Sequence, residues 1–105
     1  MTTTDLPAGP ALDLAVARAC GFQADIIGGV CCRDAPWTPS SDTSDAFEAL
    51  EALGEQGAGW STGNLENGYE CNLSLDMRTT RKEVAETLTL AICRAIVATT
   101  KETKL

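Results

Sequence analysis

The stretch Tyr69-Glu-Cys-Asn-Leu-Ser-Leu-Asp76 decides the fold of this chain, because apolar and polar side chains alternate through it without exception. A period of two residues is typical of a β-strand with one covered face and one face in water. We therefore predict that the apolar side chains of this strand face a layer of helices: Tyr69, Cys71, Leu73 and Leu75.

The segments on either side of this strand are predicted to complete an antiparallel sheet. Residues 79–86 follow it as a third strand, and Asn67-Gly68 favours a two-residue hairpin turn to a preceding strand. Because this turn sets the register, it predicts two opposed pairs on the covered face. They are Trp60 with Leu75 and Thr62 with Leu73.

Three segments carry apolar residues at the three- and four-residue spacing of a helix. The first spans residues 10–20 and stops at Gly21, the second begins near Asp42, and the third follows Thr87 as its cap. Each helix is expected to bury one side. In the first helix this side is Leu12, Ala15, Val16 and Ala19; in the second it is Ala46, Phe47, Ala49, Leu50 and Leu53; in the third it is Leu88, Ala91, Ile92, Ala95 and Ile96.

A separate short hairpin is predicted where Ile26-Ile27 and Val30-Cys31 flank Gly28-Gly29. With the elements above it makes a single α+β domain, in which about three helices pack on a small antiparallel sheet. We place this domain at residues 10–100 and expect residues 1–9 and 101–105 to be tails.

Composition excludes several classes of protein. The chain has 105 residues, 44% of them hydrophobic and 22% charged, which is typical of a globular domain. No apolar stretch approaches the ~20 residues of a membrane span, and the first ten residues lack a basic, apolar export signal. The five Cys are therefore expected to be reduced thiols in a cytosol, including a bacterial one.

Charge and histidine content narrow the function further. Residues 34–77 hold nine Asp or Glu and no Lys or Arg, within a net charge of −7. Such a chain is a poor partner for nucleic acid, which requires clustered cations. The absence of His removes Ser-His-Asp and Cys-His nucleophiles and His-based metal sites. We expect no catalysis, no metal and no cofactor.

Four segments in order resemble one known family. They are Leu12-Asp-Leu-Ala-Val-Ala-Arg-Ala-Cys-Gly-Phe22, Trp37-Thr-Pro-Ser-Ser-Asp42, Gly68-Tyr-Glu-Cys-Asn-Leu73 and Ala91-Ile-Cys-Arg-Ala95. Over residues 11–98 the chain is similar to the phage ABA sandwich domain proteins, which are small and encoded by phages or prophages. The resemblance implies an α+β sandwich and brings no reaction and no catalytic residue.

The cysteines allow two interpretations. Cys31-Cys32 can form a vicinal disulfide or offer soft metal ligands together with Cys71, but no Cys-x-x-Cys spacing is present. Cys93 lies between apolar neighbours in the last predicted helix, where a free Cys is ordinarily a small buried hydrophobe. We therefore predict structural thiols.

A ligand site is predicted where Trp37 meets the start of the second helix. Free N–H groups at Ser40 to Asp42 favour an anion, and an indole face can stack a base. Arg33, Arg78 or Arg94 can pair with a phosphate, Arg94 being in a family-like segment. The alternatives are that the aromatic residues pack in the core and that Arg94 pairs with a carboxylate. The predicted site comprises Trp37, Ser40, Ser41, Trp60, Tyr69 and Arg94.

These features favour a non-catalytic phage protein whose activity is binding. The leading hypothesis is counter-defence in the host cytoplasm, by capture of a small anionic nucleotide signal of bacterial immunity. One alternative is an acidic inhibitor of a host defence nuclease, in which the second helix imitates DNA phosphates. The competing interpretation of that carboxylate-rich face is an ordinary solvated surface. The other alternative is a structural or assembly component of the phage particle, and homo-oligomers are compatible with each hypothesis.

Overall fold

The structure of the protein, a computed structural model, describes residues 7–74 and 80–103. Within these residues the chain forms three helices and two antiparallel sheets, which confirms the α+β class. The elements are α1 (Pro10–Ala19), β1 (Asp25–Ile27), β2 (Val30–Cys32), α2 (Thr43–Glu55), β3 (Gly59–Leu65), β4 (Gly68–Ser74), β5 (Arg81–Ala85) and α3 (Leu88–Thr103).

The larger sheet has the order β3-β4-β5, with β4 in the middle. Cys71 and Leu73 of β4 are completely buried and Tyr69 is half-buried, so the face predicted from the alternation is confirmed for these three side chains. Leu75, the fourth member of the predicted face, is outside the described residues. On the opposite face, Lys82 pairs with Glu70 at 3.1 Å.

The predicted register of the β3-β4 hairpin is wrong by two residues. Trp60 pairs with Leu73 and Thr62 pairs with Cys71, since the two-residue loop is residues 66–67 and Gly68 is already the first residue of β4. A Cβ on Gly68 would lie 2.6 Å from the backbone oxygen of Ala85. This glycine therefore allows β4 to approach the end of β5. A shift of two residues keeps every side chain on its predicted face.

The last helix is buried on nearly all sides, which corrects the prediction of a single apolar face. Leu90, Cys93 and Val97 are as well enclosed as the predicted positions Ala91 and Ile92. The reason is its central position, because α3 packs against β4 and β5 and also against α1 and α2. A helix that is apolar all round is typical of such an interior element.

Both boundaries of α3 can be compared with the prediction. The Thr87 hydroxyl accepts a hydrogen bond from the N–H of Leu90 at 3.2 Å, which confirms Thr87 as the cap. At the other end the helix continues to Thr103, past the predicted domain boundary at residue 100.

The short hairpin forms as predicted, with Ile27 paired to Val30 across Gly28 and Gly29. Both glycines have positive φ, 61° and 80°, as a type I′ turn requires. Asp42 is also the N-cap of α2, as predicted, and its side chain accepts a hydrogen bond from the N–H of Asp45.

Candidate functional site

Trp37 is enclosed by protein and does not offer a face to a ligand. Its side chain is only 4% exposed, and its Nε1 donates a hydrogen bond to Glu48 Oε1 at 2.8 Å. The Phe22 ring packs edge-on at 5.5 Å, and the Arg33 guanidinium lies 3.7 Å from Phe22 and 5.3 Å from Trp37. The packing alternative therefore describes Trp37, and no indole surface remains for stacking a base.

Carboxylates of the chain itself accept hydrogen bonds from N–H groups near the N-terminus of α2. Asp45 Oδ2 accepts a hydrogen bond from the N–H of Thr38 at 2.9 Å. Asp13 Oδ1 accepts one from the N–H of Ser40 at 2.7 Å. Together with the Asp42 cap, these groups place negative charge where an external anion was predicted, so a phosphate would be repelled there.

Asp13 is a buried carboxyl that sequence reasoning missed. It is 2% exposed, and burial raises its pKa, although its hydrogen bonds with Ser40 act in the opposite direction. The bonds with Ser40 join α1 to the loop before α2. A sequence signal was present, because Asp13 is three and four residues from the buried Val16 and Ala17 and hence on the same side of the helix.

Ser40, Ser41 and Arg94 converge on one cavity of about 380 Å³, at the first turn of α3. Its lining combines apolar residues, Pro7, Ala8 and Leu90, with polar ones, which are Ser40, Ser41, Glu86, Thr87, Thr89 and Arg94. Gly9 N–H donates a hydrogen bond to Ser40 Oγ at 2.9 Å, which holds Ser40 in the wall. The Thr87 and Thr89 hydroxyls are 3.3 Å apart, so they form a polar pair beside the cavity.

Arg94 is the cation in the lining of this cavity, and its Nε is buried without a hydrogen-bond partner among the described residues. The ion pairs within residues 7–74 and 80–103 join Arg33 to Glu48 and Lys82 to Glu70, so the alternative of an Arg94 ion pair is not observed there. Leaving a buried polar group unpaired costs about 1–3 kcal/mol, so such groups are rare in native proteins.

Tyr69 lines a second, shallower depression of about 280 Å³ with Asn64 and Asn67. Glu86 lines both depressions. Trp60 is in neither of them, and its ring instead packs on Phe47 of α2 at 5.7 Å. Four of the six predicted site residues thus line these two depressions, whereas Trp37 and Trp60 do not.

The cysteines are free thiols with structural positions. Burial raises the pKa of Cys20 and of Cys71 to about 12, and it raises that of Cys93 as well. Protonated, buried thiols are poor nucleophiles and poor metal ligands. In the described part of the chain, no three Cys, Asp or Glu side chains cluster in a way suited to a metal ion.

The three helices and the two sheets define a small α+β sandwich. The phage ABA sandwich domain matches residues 22–97, and the chain belongs to this family. The match begins at Phe22, so the first of the four resembling segments lies almost wholly outside it. A comparison with curated proteins found no match. Over the residues described, no helix has the length and apolar character needed to cross a membrane.

Proposed function

We propose that this phage-family protein binds a small anionic ligand of the nucleotide class in the Arg94 cavity, and that it acts by capture without catalysis. The observation that carries the proposal is the buried Arg94 Nε, which has no hydrogen-bond partner among the described residues and belongs to a cavity-lining side chain. A phosphate is a suitable partner for the guanidinium of such a side chain.

The chemistry of the wall supports this class of ligand. A guanidinium presents a planar set of donors that matches phosphate, and hydroxyl groups can donate to the remaining phosphate oxygens. Ser41, Thr87 and Thr89 supply hydroxyls beside Arg94. The volume of about 380 Å³ is within the range of small-molecule sites.

Capture without catalysis fits the groups that are present. The chain has no His, and the buried Cys20, Cys71 and Cys93 have raised pKa values, so a nucleophile with a neighbouring base is not assembled among them. A binding protein lowers the free concentration of a signal in proportion to its own amount. For a phage protein the fitting role is removal of a nucleotide immune signal in the host cytoplasm.

The acidic-inhibitor alternative is weaker on this structure. Asp42, Asp45 and Glu48 of the carboxylate-rich face of α2 are hydrogen-bonded within the protein. Of the five carboxylates of α2 and its cap, Asp42, Asp45, Glu48, Glu51 and Glu55, the last two make no hydrogen bond to another described residue. Two carboxylates are few for an imitation of the row of phosphates along a DNA strand. The structural role and homo-oligomer formation stay predictions.

The test is calorimetric titration with cyclic nucleotides and ADP-ribose derivatives, using the wild-type protein and Arg94→Ala. We expect at least one ligand to bind, and Arg94→Ala to weaken it about tenfold or more, because a charge-assisted hydrogen bond contributes about 1.5–3 kcal/mol. Arg18→Ala is the matched control, since Arg18 is exposed on α1 and outside the cavity.

Two results would contradict the proposal. One is that no nucleotide in the panel produces heat with the wild-type protein. The other is that a nucleotide binds with the same affinity to Arg94→Ala as to Arg18→Ala, which would place its site elsewhere. Circular dichroism of each variant shows whether the fold is retained.

A further inference from the structure

We propose that Glu86 makes the site selective for ribonucleotides that carry a free 2′,3′-cis-diol, an inference that rests on the function proposed above. The ligand would extend from Arg94, past Glu86, towards Tyr69. Its phosphate would lie at Arg94, its ribose at Glu86 and its base in the second depression.

Glu86 has a position that no other lining residue shares. It lies in the turn between β5 and α3, it is exposed, and it lines both depressions. No hydrogen bond or ion pair joins its carboxylate to another residue in the part of the chain that the structure describes. Glu66 is a second carboxylate, which lines the second depression alone. The first depression therefore brings together Arg94, whose buried Nε has no partner among the described residues, and the Glu86 carboxylate.

A ligand that satisfies both groups must carry an acceptor at one end and hydrogen-bond donors next to it. An ionised carboxylate only accepts hydrogen bonds, and it repels a phosphate. Two neighbouring hydroxyls suit it, because each can donate to one carboxylate oxygen, as acidic residues do with ribose in dinucleotide sites. The phosphate is thus assigned to Arg94 and the ribose diol to Glu86.

The close approach of β4 to β5 keeps the two depressions side by side at Glu86. A Cβ on Gly68 would be 2.6 Å from the Ala85 oxygen and 3.9 Å from the Glu86 Cα. Beyond this contact the second depression is lined by the half-buried Tyr69, by Asn64 and Asn67, and by Glu66. An aromatic ring and amide groups suit the apolar faces and polar edges of a nucleobase.

This assignment narrows the class of ligand. A zwitterion such as an amino acid would satisfy Arg94 and Glu86 but would leave the second depression unused. A 3′,5′-cyclic nucleotide has its 3′ oxygen esterified and cannot present the diol. Ribonucleotides with both hydroxyls free, such as AMP and ADP-ribose, satisfy all three parts of the site.

The experiment compares AMP, 2′-deoxy-AMP, 3′,5′-cyclic AMP, ADP-ribose and inorganic phosphate by calorimetry on the wild-type protein, Glu86→Gln and Glu51→Gln. We expect AMP to bind the wild-type protein about tenfold or more tightly than 2′-deoxy-AMP, since a site built for a hydroxyl rejects the analogue without it. Glu86→Gln should reduce this ratio to below about threefold. Glu51→Gln, on α2 and in neither depression, should leave it unchanged.

The outcomes separate this inference from the proposed function. If AMP and 2′-deoxy-AMP bind equally and Arg94→Ala weakens both, the diol assignment is overturned and anion capture stands. If only 3′,5′-cyclic AMP binds, the diol assignment is likewise overturned and anion capture stands. If Glu86→Gln keeps the wild-type ratio, Glu86 does not read the diol. If none of the five compounds binds the wild-type protein, the diol assignment is again overturned, and the wider nucleotide panel decides the proposed function.

Discussion

At the scale of single residues, a buried carboxyl shapes the wall of the cavity. Asp13 is on α1, and its Oδ1 accepts a hydrogen bond from the N–H of Ser40, a residue 27 positions further along the chain. Gly9 bonds to the Ser40 hydroxyl from the same side. The loop that lines the cavity is thus attached to α1 and its cap at two atoms of one serine.

Asp13 should make stability depend on pH in a specific direction. Because burial raises its pKa above the ordinary value of 3.8, the folded protein binds this proton more readily than the unfolded chain. Its contribution is therefore fully present below pH 3.8 and declines as the pH rises through the folded-state pKa. Asp13→Asn cannot ionise and should lack this decline, while its side-chain oxygen still accepts a hydrogen bond.

Urea unfolding between pH 3.5 and 7 checks this expectation. The difference in unfolding free energy between Asp13→Asn and the wild-type protein should shift in favour of the variant as the pH rises, and then level off. A difference that is constant over this range would show that Asp13 ionises equally easily in the folded and unfolded states.

At the scale of elements, the contact between β4 and β5 depends on a glycine at the start of β4. The Tyr69–Ala85 pair begins the register of these strands, and Gly68 stands just before it. The turn from β5 into α3 follows at once and carries Glu86 and Thr87. The end of the sheet and the start of the central helix are consequently positioned together.

Gly68→Ala should destabilise the domain by about 1–3 kcal/mol, because its Cβ would meet backbone that cannot move freely. Gly63→Ala is a matched control within the same hairpin. There the added Cβ meets the end of the Glu70 side chain at 3.2 Å, and this flexible group can move aside. The control should therefore cost less than about 0.5 kcal/mol. Equal losses in urea unfolding would contradict the importance of the β4-β5 approach.

At the scale of the whole molecule, one core joins all three helices to β4. It includes Leu12 of α1, Leu50 of α2, Leu73 of β4 and Ile96 of α3, each of them completely buried. Trp37 belongs to the same cluster. Because the core is continuous, loss of packing at its centre should lower the stability of the domain as a unit.

Leu73→Ala should reduce the unfolding free energy by about 2–5 kcal/mol, since it removes buried atoms and leaves a cavity. Leu65→Ala is the control, because Leu65 is in the partner strand of the same hairpin but is 40% exposed. Its loss should be below about 1 kcal/mol. A change below about 0.5 kcal/mol for Leu73→Ala in urea unfolding would mean that the face of β4 is misassigned.

Local patterns in the sequence determined the type of each element and several of its ends. The alternation in β4, the glycine pair of the short hairpin, and the caps Asp42 and Thr87 each lie within a few residues of what they control. Steric and hydrogen-bonding preferences act over this distance, so they can be read without a fold.

Packing between distant segments decided the rest. The burial of α3 on nearly all sides follows from four neighbouring elements, and the close approach of β4 to β5 depends on Gly68 beside Ala85. The Arg94 cavity exists because Ser40, Glu86 and Arg94 come together from separate parts of the chain. The sequence named Ser40 and Arg94 as site residues but favoured Trp37 in place of Glu86. Only tertiary packing buries Trp37 in the core and leaves Glu86 exposed in the wall of the cavity, because burial is a property of all the surrounding segments.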